Sequence, residues 1–153
     1  MTAIKDGQER VAGAFALMTE IGIIAQLATH AFESRMPEGL TMAQFSVLNH
    51  LARLGGAPTP VELAGAMQVT KGAMTNTVHH LERRGLAKVA PHESDGRSKR
   101  VSLTDAGRQE REAAIVALAP ELGALAQLLG DDRLARVLPV LADVRRFLDE
   151  RRG

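Results

Sequence analysis

Apolar residues in the first third of the chain return at alternating steps of three and four: Val11, Ala14, Met18, Ile21, Ala25, Ala28 and Phe32. That is the helical period. Phe15, Ile24, Leu27 and Ala31 widen the stripe and leave only a narrow polar strip of Thr19, Gln26, Thr29 and Glu33. So wide an apolar face needs cover on more than one side. Pro37 and Gly39 set the expected end of this helix near Met36. Thr41-Met42-Ala43-Gln44 then has the spacing of a capping box, flanked by Leu40 and Phe45 as a hydrophobic staple. The second helix is expected to bury Phe45, Leu48, Leu51 and Ala52 and to stop at Gly55-Gly56. A second box, Thr59-Pro60-Val61-Glu62, opens a short third helix with proline where a missing amide costs nothing. Its inward positions are Leu63, Ala64 and Met67. After a turn of about three residues, the length used between two crossed helices, Thr70 caps a fourth. Met74, Val78 and Leu81 point inward there, and Gly85 ends it.

The period then changes. Residues 86–90 and 99–103 alternate as strands do, around a connection of turn-forming residues, 91–98. A polar loop that long on a small hairpin implies something to touch. Thr104 caps a fifth helix with Ile115, Leu118, Leu122, Leu125 and Leu129 on one stripe. Beyond Gly130-Asp131-Asp132, a sixth carries Leu134, Val137, Leu141, Val144 and Leu148. Pro120 and Pro139 fall inside these two helices and are expected to kink or interrupt them. The fold class is mainly α with a small β-hairpin.

Composition changes this picture little; the distribution of charge changes it more. The 153 residues carry 19 basic and 18 acidic side chains, a net charge of +1 that argues against a nucleic-acid partner. The balance is an average. Residues 1–69 carry net −2, residues 70–104 net +4 and residues 105–153 net −1. The basic excess lies on the fourth helix and the hairpin, the electrostatic sign of a duplex-DNA reader. On the outward face of the fourth helix Lys71, Thr75, Asn76 and His79 form a polar set without an acid. Asn can bond adenine through two atoms, and Thr can offer a hydroxyl to a base edge or a methyl to thymine. Arg97 and Lys99 stand near the loop tip. With four Phe and neither Trp nor Tyr, a base-stacking platform for single strands is not expected.

Gly72-Ala73-Met74-Thr75, the run from Leu81 to Leu86, and the run from Asp95 to Gly107 with its Asp-Gly-Arg tip and Leu-Thr-x-x-Gly exit are together specific. Through them the chain resembles the MarR (multiple antibiotic resistance regulator) family along nearly its whole length. The resemblance implies a winged helix-turn-helix DNA-binding domain over 37–104 and a helical dimerisation region over 1–36 and 105–153. It implies a homodimer on a pseudo-palindromic operator in double-stranded DNA, most often as a repressor. Thr70, Lys71, Thr75, Asn76 and His79 would meet the major groove. Asp95, Arg97 and Lys99 would form the wing, with Arg97 in the adjacent minor groove and Asp95 holding it. The family often has a basic residue around Asn76 and Asp-Arg types where this chain has His79 and His80, so base preference is this chain's own.

The resemblance also implies release by a small aromatic or anionic effector in a crevice between the dimer helices and the DNA-binding lobe. His30, Phe32, Phe45, Asn49 and His50 are the lining expected there. The chain has no cysteine, which excludes disulfides, thiolate chemistry, thiol-oxidation sensing and Cys-ligated metals. His30 and Glu33 stand one helical turn apart, too little for a metal site; no metal and no cofactor are expected. No nucleophile elbow, phosphate-binding loop, dinucleotide fingerprint or H-E-x-x-H run occurs, so no enzyme is expected. The different-class alternative is a winged-helix interaction module without DNA binding. The first ten residues lack a signal pattern and 11–30 is polar for a membrane span, so no membrane partner and a cytoplasmic location are expected.

Overall fold

The structure is a computed structural model that describes residues 2–91 and 98–151, with side chains from residue 7 onward. Its elements run α1 (Thr2–Glu33), α2 (Met42–Leu54), α3 (Pro60–Met67), α4 (Lys71–Arg83), β1 (Ala87–Pro91), β2 (Lys99–Leu103), α5 (Asp105–Leu129) and α6 (Asp131–Asp149). The architecture is the expected one: mainly helical with one antiparallel hairpin. Two compact units result, residues 1–115 and 116–153.

Both capping boxes form. Thr41 Oγ1 accepts the Gln44 amide at 3.2 Å while Gln44 Oε1 accepts the Thr41 amide at 3.3 Å. Thr59 and Glu62 exchange the same pair of bonds at 3.2 and 2.7 Å. Each satisfies two amides that a helix start leaves open. The buried face of α2 is Gln44, Val47, Leu48 and Leu51, whereas Phe45 and Ala52 are half-buried. The face is turned from the expected stripe because the capping box and Arg84 Nη1, 3.4 Å away, hold Gln44 Oε1 inward. In α3 Leu63 and Ala64 are buried, and in α4 Met74, Val78 and Leu81 are, as the spacing requires.

The turn between α3 and α4 is a Schellman closure. Val69 N–H reaches Ala64 O at 3.1 Å and Gln68 N–H reaches Gly65 O at 3.3 Å. The left-handed position, usually glycine, is Gln68 at φ 58°. Helix α4 closes the same way: Leu86 N–H bonds Leu81 O and Gly85 N–H bonds Glu82 O, both at 2.9 Å, with Gly85 at φ 71°. Leu86 thus belongs to the closure and is buried under α4. That is why β1 begins at Ala87 and extends through Pro91, one residue later than the alternation suggests.

The strands pair Ala87 with Leu103, Val89 with Val101 and Pro91 with Lys99. On the outer edge of β2, Val101 N–H bonds Pro58 O at 2.9 Å, so the chain entering α3 lies along the hairpin. Leu48, Leu63, Leu81, Val47 and Val101 are the largest fully buried side chains. One core therefore joins α2, α3, α4 and the hairpin into a single lobe.

Helix α1 ends three residues before the expected Met36; Ser34 N–H still bonds His30 O, but Met36 turns back to Phe32 O and is buried. Neither proline interrupts its helix. The carbonyls that lose a partner, on Val116 and Ala135, belong to exposed residues, where water replaces the missing bond. By length and composition, 7–33 and 105–129 are both apolar enough to cross a membrane. This corrects the expectation for the first: Glu20 and Gln26 are too few to offset its aliphatic residues.

Candidate nucleic-acid interface

Helix α4 has two unlike faces. Met74, Val78 and Leu81 fix the inner one in the core. Lys71, Thr75, Asn76 and His79 are all exposed on the other, as the sequence predicts. Thr70 is the N-cap, its hydroxyl accepting the Ala73 amide at 3.2 Å. That bond fixes the start of the helix from which Lys71 projects. His80 and Arg83 are exposed as well. The rings of His79 and His80 lie 6.1 Å apart, and among the described residues His80 has no scaffold hydrogen bond. Lys99 is exposed at the start of β2. Asp95 and Arg97 lie outside the described residues. An exposed helix face with amide, hydroxyl, imidazole and ammonium groups, and an acid, Glu82, only in its last turn, can reach both base edges and phosphates.

What aims this face is a set of side chains that in the sequence count only toward the basic excess or a capping box. Arg84, just past the last turn of α4, donates from Nη1 to Gly39 O at 2.9 Å and from Nη2 to Glu38 O at 3.3 Å. Nη2 also meets Glu110 Oε1 at 2.6 Å, with both side chains only partly shielded from solvent. One guanidinium thus ties the end of α4 to the α1–α2 turn and to the first turns of α5. A planar group with several fixed donors suits such a junction. Arg100 Nη1 reaches Ala57 O at 3.2 Å and Glu62 Oε2 at 3.4 Å, clamping β2 to the start of α3; its Nε is buried without a partner among the described residues. Glu62 is held below its ordinary pKa, first by the Thr59 backbone amide, then by the Thr59 hydroxyl, and least by Arg100.

The Leu-Thr-x-x-Gly exit also has a physical reading. Thr104 Oγ1 donates to Gly85 O at 2.7 Å and accepts the Gly107 amide at 3.0 Å. Thr104 N–H bonds Leu86 O at 3.3 Å. A Cβ at Gly107 would collide with the Leu86 carbonyl oxygen and stand 2.9 Å from Leu103 Cδ1. The first turn of α5 therefore sits directly on the turn that closes α4. The run from Asp95 to Gly107 that carries the resemblance includes Thr104 and Gly107, but does not show the distant partners that explain them.

The residues expected around an effector are not gathered into one described cavity. His30 is exposed and lines a shallow depression on α1 with Ala25, Gln26, Thr29 and Glu33. Phe32, Phe45, Asn49 and His50 are half-buried. Asn49 Oδ1 accepts Arg111 Nε at 3.0 Å, linking α2 to α5, and Arg111 also pairs with Glu112. Among the described residues no group of three or more His, Asp or Glu could hold a metal ion.

Comparison with known proteins places this geometry. The model of the MarR family matches residues 38–98, from the turn before α2 into the hairpin. The transcriptional activatory protein BadR of Rhodopseudomonas palustris is 30% identical over 138 residues, spanning 88% of this chain and 75% of BadR. A cysteine-to-serine mutant of MarR from E. coli, solved with operator DNA, is 28% identical and superposes with a TM-score of 0.75 over 84% of this chain and 93% of that one. The PcaV regulator of Streptomyces coelicolor, solved with its natural ligand, shares the fold at 21% identity, with a TM-score of 0.74 over 82% of this chain and 89% of that one. The lobe with its outward helix, the hairpin and the matched sequence agree, and the chain belongs to the MarR family of winged helix-turn-helix transcriptional regulators, a family of regulators and not of enzymes.

Proposed function

We propose that the chain acts as a homodimer on a pseudo-palindromic operator, with α4 of each copy in the major groove. Residues 37–104 serve as the reading head, and 1–36 with 105–153 as the dimerisation region. The observation that carries this reading is the exposed polar face of α4 above a fixed apolar base, with Lys71, Thr75, Asn76 and His79 over its first turns and its one acid, Glu82, in the last turn. Thr75, Asn76 and His79 meet base edges, Thr70 and Lys71 meet phosphates, and Lys99 with Asp95 and Arg97 forms the wing. Half-sites then lie about one helical turn, ~34–36 Å, apart. The E. coli relative solved with operator DNA supports this role. Selecting bound duplexes from a random pool tests it: a two-fold symmetric consensus is expected. Equal, negligible binding to all duplexes would leave a winged-helix interaction module instead.

A repressor is the default reading of such a protein, because a dimer lying across a promoter blocks polymerase. The name of BadR favours the second sign, activation. A reporter driven from the selected operator, with and without the regulator, separates them. Release by a small aromatic or anionic effector near His30, Phe32, Phe45, Asn49 and His50 completes the proposal, by the population shift that any state-selective ligand produces. PcaV, solved with its natural ligand, supports it. The protein works in the cytoplasm, where its DNA is, and its apolar helices are covered by a second copy rather than by lipid.

A further inference from the structure

Behind α4, on the side away from its outer face, lies a cavity of about 390 Å³, large enough for a small organic molecule. Thr29 and Glu33 of α1, Met42, Ala43 and Ser46 of α2, and Met67 and Val69 around the end of α3 form its walls; Ala73, Met74 and Thr77 of α4 close it. It shares no lining residue with the effector set above. Three methionines make the wall adaptable, since an unbranched thioether repacks around different shapes.

The electrostatics of this cavity select a sign. Its lining contains no Lys, Arg or His, and its one charged group is Glu33. Glu33 Oε1 is fixed by the Met42 amide at 2.7 Å, and among the described residues no cation pairs with this carboxylate. Glu33 is also the last residue of α1, at the helix end whose dipole favours positive charge. The opposing helix start offers an anion little: the Ala73 amide is taken by Thr70 Oγ1 and the Met74 amide by Thr70 O.

We infer that this cavity is a second effector site, selective for a small organic cation: an apolar or aromatic body carrying a primary amine. The ammonium pairs with the carboxylate of Glu33, and the body lies against Met42, Met67, Val69 and Met74. Thr75 and Asn76 directly follow Met74 on α4, so a ligand that outgrows the cavity moves the outer face. A ligand that fits the displaced helix better lowers operator affinity by that difference. Only this last consequence rests on the operator-binding reading; the site rests on its own geometry.

The test uses the full chain without DNA and three indole probes of one shape: tryptamine as cation, tryptophol as neutral alcohol and indolepropionate as anion. Calorimetry at low salt is expected to show tryptamine binding about three- to fivefold tighter than either of the others, the scale of an ion pair with the exposed Glu33 carboxylate. Glu33→Gln keeps an oxygen for the Met42 amide and removes the charge. It is expected to abolish the preference for tryptamine while leaving tryptophol unchanged. Ala43→Leu, which fills the cavity, is expected to weaken all three. Tryptamine is then expected to lower operator affinity in the wild type and not in Glu33→Gln. The inference is overturned if no probe binds, if indolepropionate matches tryptamine, if Glu33→Gln retains the preference, or if bound tryptamine leaves operator affinity unchanged. A chain that binds operator but not tryptamine refutes this site alone. One that binds tryptamine but no duplex refutes the operator reading and leaves the site standing.

Discussion

At Gly107 the absence of one carbon decides how α5 meets the reading head. The space that a Cβ needs is occupied by the backbone of Leu86, not by the yielding end of a side chain. Leu86 cannot retreat, because its amide closes α4 and its side chain is in the core. Gly107→Ala is therefore expected to destabilise the lobe by about 1–3 kcal/mol, the usual cost of overpacking. A thermal scan should show the melting point falling by several degrees. An unchanged melting point would mean that the turn after α4 gives way freely. The glycine itself was visible in the sequence as the end of the Leu-Thr-x-x-Gly exit, but its reason was not. A motif reports which residues occur together, whereas the collision depends on a chain segment some twenty residues away in sequence. Arg84 is the same case: its partners, Glu38, Gly39, Gln44 and Glu110, come from the α1–α2 turn, α2 and α5.

At the scale of elements, local chemistry was nearly sufficient. Capping boxes, the three-residue turn and the inward set of α4 follow from neighbours three or four residues apart, and those the chain itself displays. The turned face of α2 did not follow, since a distant arginine fixes Gln44. The box at α3 makes a pH prediction. Glu62 has its folded pKa lowered, so the stabilisation it brings is complete at neutral pH and is lost as pH falls through the folded value. Glu62→Gln is expected to be less stable than the wild type at pH 7, with the difference closing below about pH 4. Denaturant titrations of both proteins across that range check it; a difference independent of pH would show that the charge contributes nothing. On α4 the expected roles divide. Lys71→Ala should reduce the salt slope of operator binding by about one unit, as loss of one phosphate contact does. Asn76→Ala should relax base preference, by about 1–3 kcal/mol of discrimination at one position. If Asn76→Ala weakened all sequences equally, it would be a phosphate contact instead.

For the whole molecule, the apolar faces that made the sequence look over-supplied with hydrophobic surface remain uncovered. Val11 and Phe15 on α1 are 70% and 76% exposed, and Leu128 on α5 is 73% exposed. Each such face needs an occupant, because isolated monomers rarely leave large apolar areas in water. On the dimer reading proposed above, a second copy covers these faces and also supplies the second half-site. That link makes the dimer testable through DNA. Phe15→Glu places a charge in the centre of the α1 face without touching the lobe core, whose buried residues lie elsewhere. Sedimentation should show a dimer for the wild type and a monomer for the variant. Operator affinity should fall roughly a hundredfold or more, because two linked half-site contacts become one. The wild-type melting point should rise with protein concentration, as it does whenever folding is linked to association, and that of the variant should not. A monomeric wild type that needs detergent to stay in solution would assign the same faces to lipid. A Phe15→Glu variant that stays dimeric and keeps its operator affinity would move the interface off α1 and leave the C-terminal helices to form it.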